Sequence, residues 1–313
     1  GMLVIRDLSQ ARLEQDSVLT IGAFDGLHLG HQELVRRLIR SARESSRLSG
    51  VVTFDPLPRT VLAPDNSFIC LTTSEDKIEL LGDWGVDVLI IIPFTMEVAN
   101  TTARDFVLRL RERARMTELW VGWNFALGRG REGNVENLWR LGQELGYRLQ
   151  VIEPVSDGAV PVSSTQIRHL LASGRVREAA EMLGRYYQLR GIVPAAAPGE
   201  GKAGLPTARL SMVDICTLPA SGVYAVYAAT DAGVFRAVAN IAPRPESAVP
   251  GQPCGECPAP TVAVHLLDFA GDLQGQRVRL QFVERLRDER HFASVDELSK
   301  QIRRDIARAK ELL

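Results

Sequence analysis

Residues 22–31 read Gly22-Ala23-Phe24-Asp25-Gly26-Leu27-His28-Leu29-Gly30-His31. An apolar, β-branched run at 18–22 precedes this stretch. After it, at 31–47, Leu34, Val35, Leu38, Ile39 and Ala42 recur at helical spacing. The segment is therefore a strand-to-helix turn. Gly26 and Gly30 allow close backbone approach, and the first N–H groups of a helix favour an anion. His28 and His31 lie three apart, so both can face one cavity at the helix start. Two imidazoles beside a bound anion can donate to a polyphosphate, most strongly where charge develops during group transfer. The plainer reading is a glycine-rich turn with two incidental histidines. Against it stands the rarity of the residue, with five histidines in 313 positions.

Outward from this turn the chain alternates. Strands are expected at 50–54, 87–92, 118–122 and 148–155. Helices are expected at 73–84, at 102–114 with Thr102 as N-cap, and at 135–145. Two further helices follow, one starting near Ser163 and one at 176–184. Repeated strand–helix units imply an α/β fold with a parallel sheet and helices on both faces. Ligands then bind beyond the carboxyl ends of the strands. After Gly184 the helical period is lost. Gly and Pro cluster at 194–206 and 243–260, between strand-like runs at 222–229, 235–241, 261–267 and 277–283. This pattern belongs to a small antiparallel barrel or sandwich. A last helix, 295–313, carries Leu298, Ile302, Ile306 and Ala309 on one face. Two domains are expected, 1–185 and 186–313.

Composition agrees with an ordinary globular chain. With 45% hydrophobic and 24% charged residues, a sizeable core can form and global disorder is excluded. Lysine plus arginine is 37 against 38 acidic residues, which argues against a bulk-cationic nucleic-acid binder. Arg303, Arg304, Arg308 and Lys310 on the last helix read as a solvated charged face. The longest apolar run, 86–94, has a strand's length and not the ~20 residues of a membrane span. No basic segment followed by an apolar one opens the chain, so no signal peptide is expected. Four cysteines make no disulfide framework, and a cytoplasmic setting is expected. Cys254-Gly255-Glu256-Cys257 reads as a loop with two thiols, since a single C-x-x-C is weak evidence for zinc.

A second phosphate-binding pattern appears at Val162-Ser163-Ser164-Thr165-Gln166-Ile167-Arg168. Helix capping explains one serine. Three hydroxyls with an arginine one turn later fit a helix start that grips phosphate. The two patterns together resemble the nucleotidyltransferase superfamily, with its H-x-G-H and S-S-T-x-I-R signatures. The wider set resembles the bacterial bifunctional riboflavin kinase/FMN adenylyltransferase, or FAD synthetase, family. That set includes 54–59 (F-D-P-L-P-R), Leu71-Thr72-Thr73, 122–128 (G-W-N-F-A-L-G), 183–187 (L-G-R-Y-Y) and 265–269 (H-L-L-D-F). The resemblance runs in order over nearly the whole chain.

The resemblance implies transfer of AMP from ATP to FMN, with release of pyrophosphate. His28, His31, Ser164 and Arg168 would be catalytic. Gly22, Phe24, Asp25, Gly26 and Gly30 would line the ATP site, and Ser163 and Thr165 would join Ser164 and Arg168 on the polyphosphate. Phe54, Asp55, Pro56, Pro58 and Asn124 would meet the flavin. Mg2+ would bridge phosphate oxygens, with Asn124 as one ligand where many members have Asp. Trp123 is expected in the core.

The second half resembles the riboflavin kinase module, a small Greek-key barrel. Gly204-Leu205-Pro206-Thr207-Ala208-Arg209 stands where that module has G-F-P-T-A-N, whose threonine and asparagine handle magnesium and ATP. Thr207 is retained as a metal ligand, but Arg209 replaces the asparagine. Ala263 replaces the glutamate that serves as general base on the ribityl hydroxyl. His265, alternating with apolar residues, reads as structural. Loss of a positioned base costs ~10²–10⁴ in rate. Glu246 and Glu256 are acidic residues nearby in sequence. The kinase step is therefore expected to be weak or lost. Three other readings stay open: a fully bifunctional enzyme, a non-catalytic flavin-binding regulator, and a nucleotidyltransferase with another acceptor. Oligomeric state is not legible.

Overall fold

A computed structural model describes residues 1–63, 68–153, 162–195, 207–212, 216–242 and 260–313. By packing the chain divides into two units, Gly1–Ser164 and Thr165–Leu313.

The first unit contains strands β1 (Leu3–Ile5), β2 (Ser17–Ile21), β3 (Leu48–Phe54), β4 (Val88–Ile92) and β5 (Met116–Gly122). The short pair β6 (Ala126–Leu127) and β7 (Gly133–Asn134) and a last strand, β8 (Arg148–Ile152), follow. Its helices are α1 (Leu29–Glu44), α2 (Pro58–Leu62), α3 (Ser74–Trp84), α4 (Met96–Ala99), α5 (Ala103–Ala114) and α6 (Val135–Leu145). Six strands form one sheet in the order β1-β4-β3-β2-β5-β8, with all pairs parallel. Every residue of β2 and β4 is buried, as expected of central strands covered on both faces. Helices α1 and α3 pack Val35, Leu38 and Leu81 on one face, against Val18, Val51 and Leu89. On the other face α5 and α6 pack Phe106, Leu110 and Leu138 against Leu19, Val52 and Leu119. Successive strands run outward from β2 to one side, and then from β5 to the other. The strand order therefore reverses between β2 and β5, where such sheets open a crevice for ligands.

Local signals place the helix ends. Thr102 caps α5 by accepting from the Asp105 N–H. Thr73 and Asp76 form a reciprocal capping box at α3, and Gly85 closes that helix in the left-handed region.

The second unit opens with α7 (Ser164–Ala172), whose first residue closes the first unit, and α8 (Val176–Leu183). It continues with β9 (Tyr187–Ile192), β10 (Thr207–Met212), β11 (Gly222–Thr230), β12 (Gly233–Ala242), β13 (Thr261–Leu266) and β14 (Arg277–Arg287), and ends with α9 (Val295–Leu312). The six strands close an antiparallel barrel in the order β10-β13-β12-β11-β14-β9. This is the architecture expected from the strand-like runs after Gly184. β9 and β10 were not legible as separate strands. β9 alternates perfectly between buried and half-buried residues, but Gly191 and an arginine interrupt its apolar pattern. Helix α8 lies against β9 and β14, so packing groups it with the barrel, whereas the change of element type falls near 185. On α9, Ser294 caps the start, and the buried Asp305 holds the Arg287 guanidinium at 2.9–3.1 Å. Cys254, Cys257, Glu246 and Glu256 lie outside the described residues.

Candidate nucleotide-transfer site

The turn between β2 and α1 is held by side chains at nearly every position. His28 is the N-cap of α1. Its Nδ1 accepts from the backbone N–H groups of Gly30, at 3.1 Å, and His31, at 3.4 Å. Accepting at Nδ1 leaves the proton of the neutral ring on Nε2, so His28 is set as an Nε2–H donor. Two helix N–H groups that sequence alone assigns to a bound anion are thus engaged by His28. The anion-facing donors shift toward the imidazole. His31 stacks on His28, with ring centroids 3.7 Å apart and planes at 16°, and Phe24 meets the His31 ring edge-on at 5.2 Å. The two histidines are therefore together, as their spacing predicts. An added Cβ at Gly30 would lie 3.0 Å from Cε1 of His28, so the imidazole would have to give by a few tenths of an ångström. Phe24, Gly26 and Leu27 all adopt positive φ, so the turn holds backbone conformations that non-glycine residues rarely take.

Asp25 is almost fully buried, and its carboxylate points away from solvent. Its Oδ1 accepts from the N–H groups of Leu71 at 2.8 Å and Thr72 at 3.2 Å, and from the Thr72 hydroxyl at 3.4 Å. The Gly26 N–H donates to the same hydroxyl at 3.0 Å. Ser164 donates from Oγ to the Asp25 carbonyl at 2.7 Å, tying the end of the first unit to the turn. Asp25 and Ser164 thus brace the turn through bonds within the protein. Ser163 precedes α7, and Thr165 and Arg168 lie on it.

Lys77 is a residue that the sequence reading missed. It is buried on α3 below the turn. Its Nζ donates to the Ala23 carbonyl at 2.7 Å and to Thr53 Oγ1 at 3.5 Å, and Thr53 itself donates to Ala23. Burial pushes the ammonium pKa below its ordinary 10.5, opposed by the charges of Asp25, Cys70 and Asp55. The available signal was a lysine one turn before Leu81, on the buried side of α3.

The flavin residues named from sequence stand at the same carboxyl edge. Phe54 ends β3 and packs edge-on against Phe94 at 5.6 Å. Asp55 accepts from Ser74 Oγ at 2.5 Å, and a cis peptide joins Asp55 to Pro56. Pro58 begins α2. Asn124 follows β5 and is exposed. Trp123 corrects an expectation: it is 55% exposed and not in the core. It directly follows the end of β5, where the chain leaves the covered sheet, and it is Phe125 that packs inward.

On the barrel, Arg209 faces Ala263 across β10 and β13, and Ala263 faces Asn240 across β13 and β12. Thr207 faces His265 in the next same-face row. Directly opposed residues share a face, and Val262, Val264 and Leu266 point into the barrel, so both rows lie on its outer face. Among the described residues, no cluster of three or more His, Cys, Asp or Glu could hold a metal.

A parallel sheet opened between β2 and β5, with paired histidines at the crevice, defines a nucleotide-binding α/β protein joined to a closed barrel. Comparisons with known proteins are specific. The FAD synthetase family model matches residues 10–166, and the riboflavin kinase model matches residues 183–313. The bifunctional riboflavin kinase/FMN adenylyltransferase of Escherichia coli strain K12 is 34% identical over 309 residues, 98% of this chain and 96% of that one. The protein of the same name from Pseudomonas fluorescens is 34% identical, covering 99% and 98%. That from Bacillus subtilis is 30% identical, covering 92% and 90%. A crystal structure described as a macrolide-efflux protein from Streptococcus pneumoniae superposes with TM-score 0.86 at 27% identity, covering 99% and 98%. No helix among the described residues is long and apolar enough to cross a membrane. The chain belongs to the bifunctional riboflavin kinase/FMN adenylyltransferase family.

Proposed function

We propose that the first unit transfers AMP from ATP to FMN, forming FAD and pyrophosphate. The observation that carries this reading is the locked His28, stacked on His31 at the strand-order reversal. The FMN phosphate supplies the attacking oxygen, so alignment and charge stabilisation replace a protein nucleophile. The Nε2–H of His28 donates to the polyphosphate as charge builds on the leaving pyrophosphate. Phe24 and His28 hold the His31 ring from two sides, which fixes its angle to the same group. Asp25 and Lys77 keep the turn in its strained shape from beneath. Ser163, Thr165 and Arg168 are the further grips on phosphate, a role supported by their pattern in the sequence. Phe54, Asp55, Pro56, Pro58 and Asn124 would meet the flavin.

Mg2+ binds chiefly through substrate phosphates and water, so a site offering the Asn124 oxygen, without a protein cage, fits it. When bound it would neutralise phosphate charge.

The barrel would run riboflavin phosphorylation slowly. Ala263 carries a methyl group where a base is expected, and Arg209 stands directly opposite it. Incubation with MgATP and FMN, followed by separation of products, tests the main reading. FAD with equimolar pyrophosphate is expected, and the H28A/H31A protein should keep its fold and lose the reaction. No FAD from FMN would refute it.

A further inference from the structure

The outer face of the barrel holds two buried oxygen atoms with nothing to accept from. Among the described residues, Oε2 of Glu289 and Oδ1 of Asn240 are buried without a hydrogen-bond partner. Leaving a buried acceptor unmatched is costly, and such groups in native folds call for an explanation. Here the two are neighbours, since the Glu289 carboxylate takes a hydrogen bond from the Asn240 side chain. Both atoms can only accept, so the complementary ligand brings donors, as a chain of hydroxyl groups does.

Their position narrows the chemistry. Asn240 lies directly across from Ala263, and Ala263 directly across from Arg209. Opposed Cα atoms in such ladders are ~4.5–5.5 Å apart, so the three share one short row. At one end of the row is a cation suited to phosphate. Next to it is a methyl group that leaves room, and beyond that is Asn240, whose side chain meets Glu289. Arg287 ends the same row beyond Val223, and its pairing with Asp305 of α9 anchors the segment that carries Glu289. Phe292, beneath the Arg287 and Arg290 guanidiniums, fixes the far side of that segment.

We infer that Glu289 and Asn240 receive the hydroxyls of the ribityl chain, and that Glu289 is the proton acceptor for its phosphorylation. The terminal hydroxyl oxygen forms a bond to the γ-phosphorus of ATP. The bond from that phosphorus to the β,γ-bridging oxygen breaks, ADP leaves, and the hydroxyl proton passes to Glu289. This assignment rests on the reading that the barrel retains slow riboflavin phosphorylation. Burial raises the pKa of Glu289, opposed by Asn240, Arg287 and His291, and a base poised nearer neutrality accepts protons more effectively. Arg287 is itself neutralised by Asp305 from α9, and Arg209 is the charge on the β10 side of the row.

The test uses the full chain with riboflavin and MgATP, scoring FMN plus FAD formed, with circular dichroism as the folding check. Wild type should turn over slowly, and E289Q should fall about 100-fold. The A263E protein places a carboxylate on the same row. A263E/E289Q should therefore recover most of the lost rate, and the pH at which activity rises should move toward the ordinary carboxylate range. Three results would overturn the assignment: no turnover by wild type above buffer, an E289Q rate within threefold of wild type, or folded A263E/E289Q as inactive as E289Q. FAD formation from added FMN by wild type is measured separately, so failure of the adenylyl-transfer reading shows independently of this outcome.

Discussion

Replacement of Asp25 by alanine isolates the brace under the histidine turn. The Asp25 carboxylate is the acceptor for two backbone N–H groups, those of Leu71 and Thr72, and for the Thr72 hydroxyl. In D25A both N–H groups stay buried without this acceptor. A buried donor left unmatched costs ~1–3 kcal/mol, and partial rescue by water favours the lower half of that range. Two such donors give a loss of about 2–4 kcal/mol. At ~2–4 °C per kcal/mol for a unit of this size, melting should fall by roughly 5–15 °C. D25N keeps an acceptor oxygen and should lose less than half as much. Transfer from MgATP to FMN should fall in D25A even below its melting transition, because Gly26 and His28 lose their support. Differential scanning calorimetry with a product assay at 20–25 °C measures both effects. A D25A protein melting within about 1 °C of wild type would refute the bracing role, as would D25N and D25A that behave alike.

Other perturbations read other parts of the fold. Gly30→Ala places a methyl 3.0 Å from the His28 ring and should cost about 10–100-fold in kcat/KM for FMN adenylylation, with little change in melting. Lys77→Met tests the buried ammonium. Its folded pKa lies below the unfolded 10.5, so the unfolded chain binds more protons between those values and stability gains from rising pH in that window. Melting measured from pH 8 to 10.5 should rise more for wild type than for K77M, and parallel curves would count against the shift. Asp305→Ala leaves the Arg287 guanidinium without its carboxylate and should cost ~3 kcal/mol by denaturant titration, whereas R287M/D305L together should cost less than D305A alone.

Much of the first unit was legible because its signals are local. The helix at 135–145 was placed to the residue, and Thr102 caps α5 through its side chain as its residue type predicts. Apolar periodicity and caps act within one or two turns of chain, so a one-dimensional reading captures them. The short strands β1, β9 and β10 were harder to see. Each is defined by a partner far away in sequence: β1 by β4, β9 by β14 and β10 by β13. Trp123 went wrong for a related reason. Its hydrophobicity is local, but its exposure depends on where β5 leaves the covered sheet.

The site shows the same division. His28, His31 and Gly30 stood out as a spaced pattern beside a strand end. The sequence by itself determined that an α/β half with paired histidines precedes a β-rich half that lacks a carboxylate at position 263. Tertiary structure alone decided which groups carry the load. Asp25 turns inward to Leu71 and Thr72, some 46 residues away in the chain, and Lys77 supports Ala23 from 54 residues away. Glu289 reaches Asn240, and through strand pairing the row that holds Ala263 and Arg209. The physical reason is that hydrogen bonding and burial depend on distance in space, and only the closed sheet and barrel bring these residues within it.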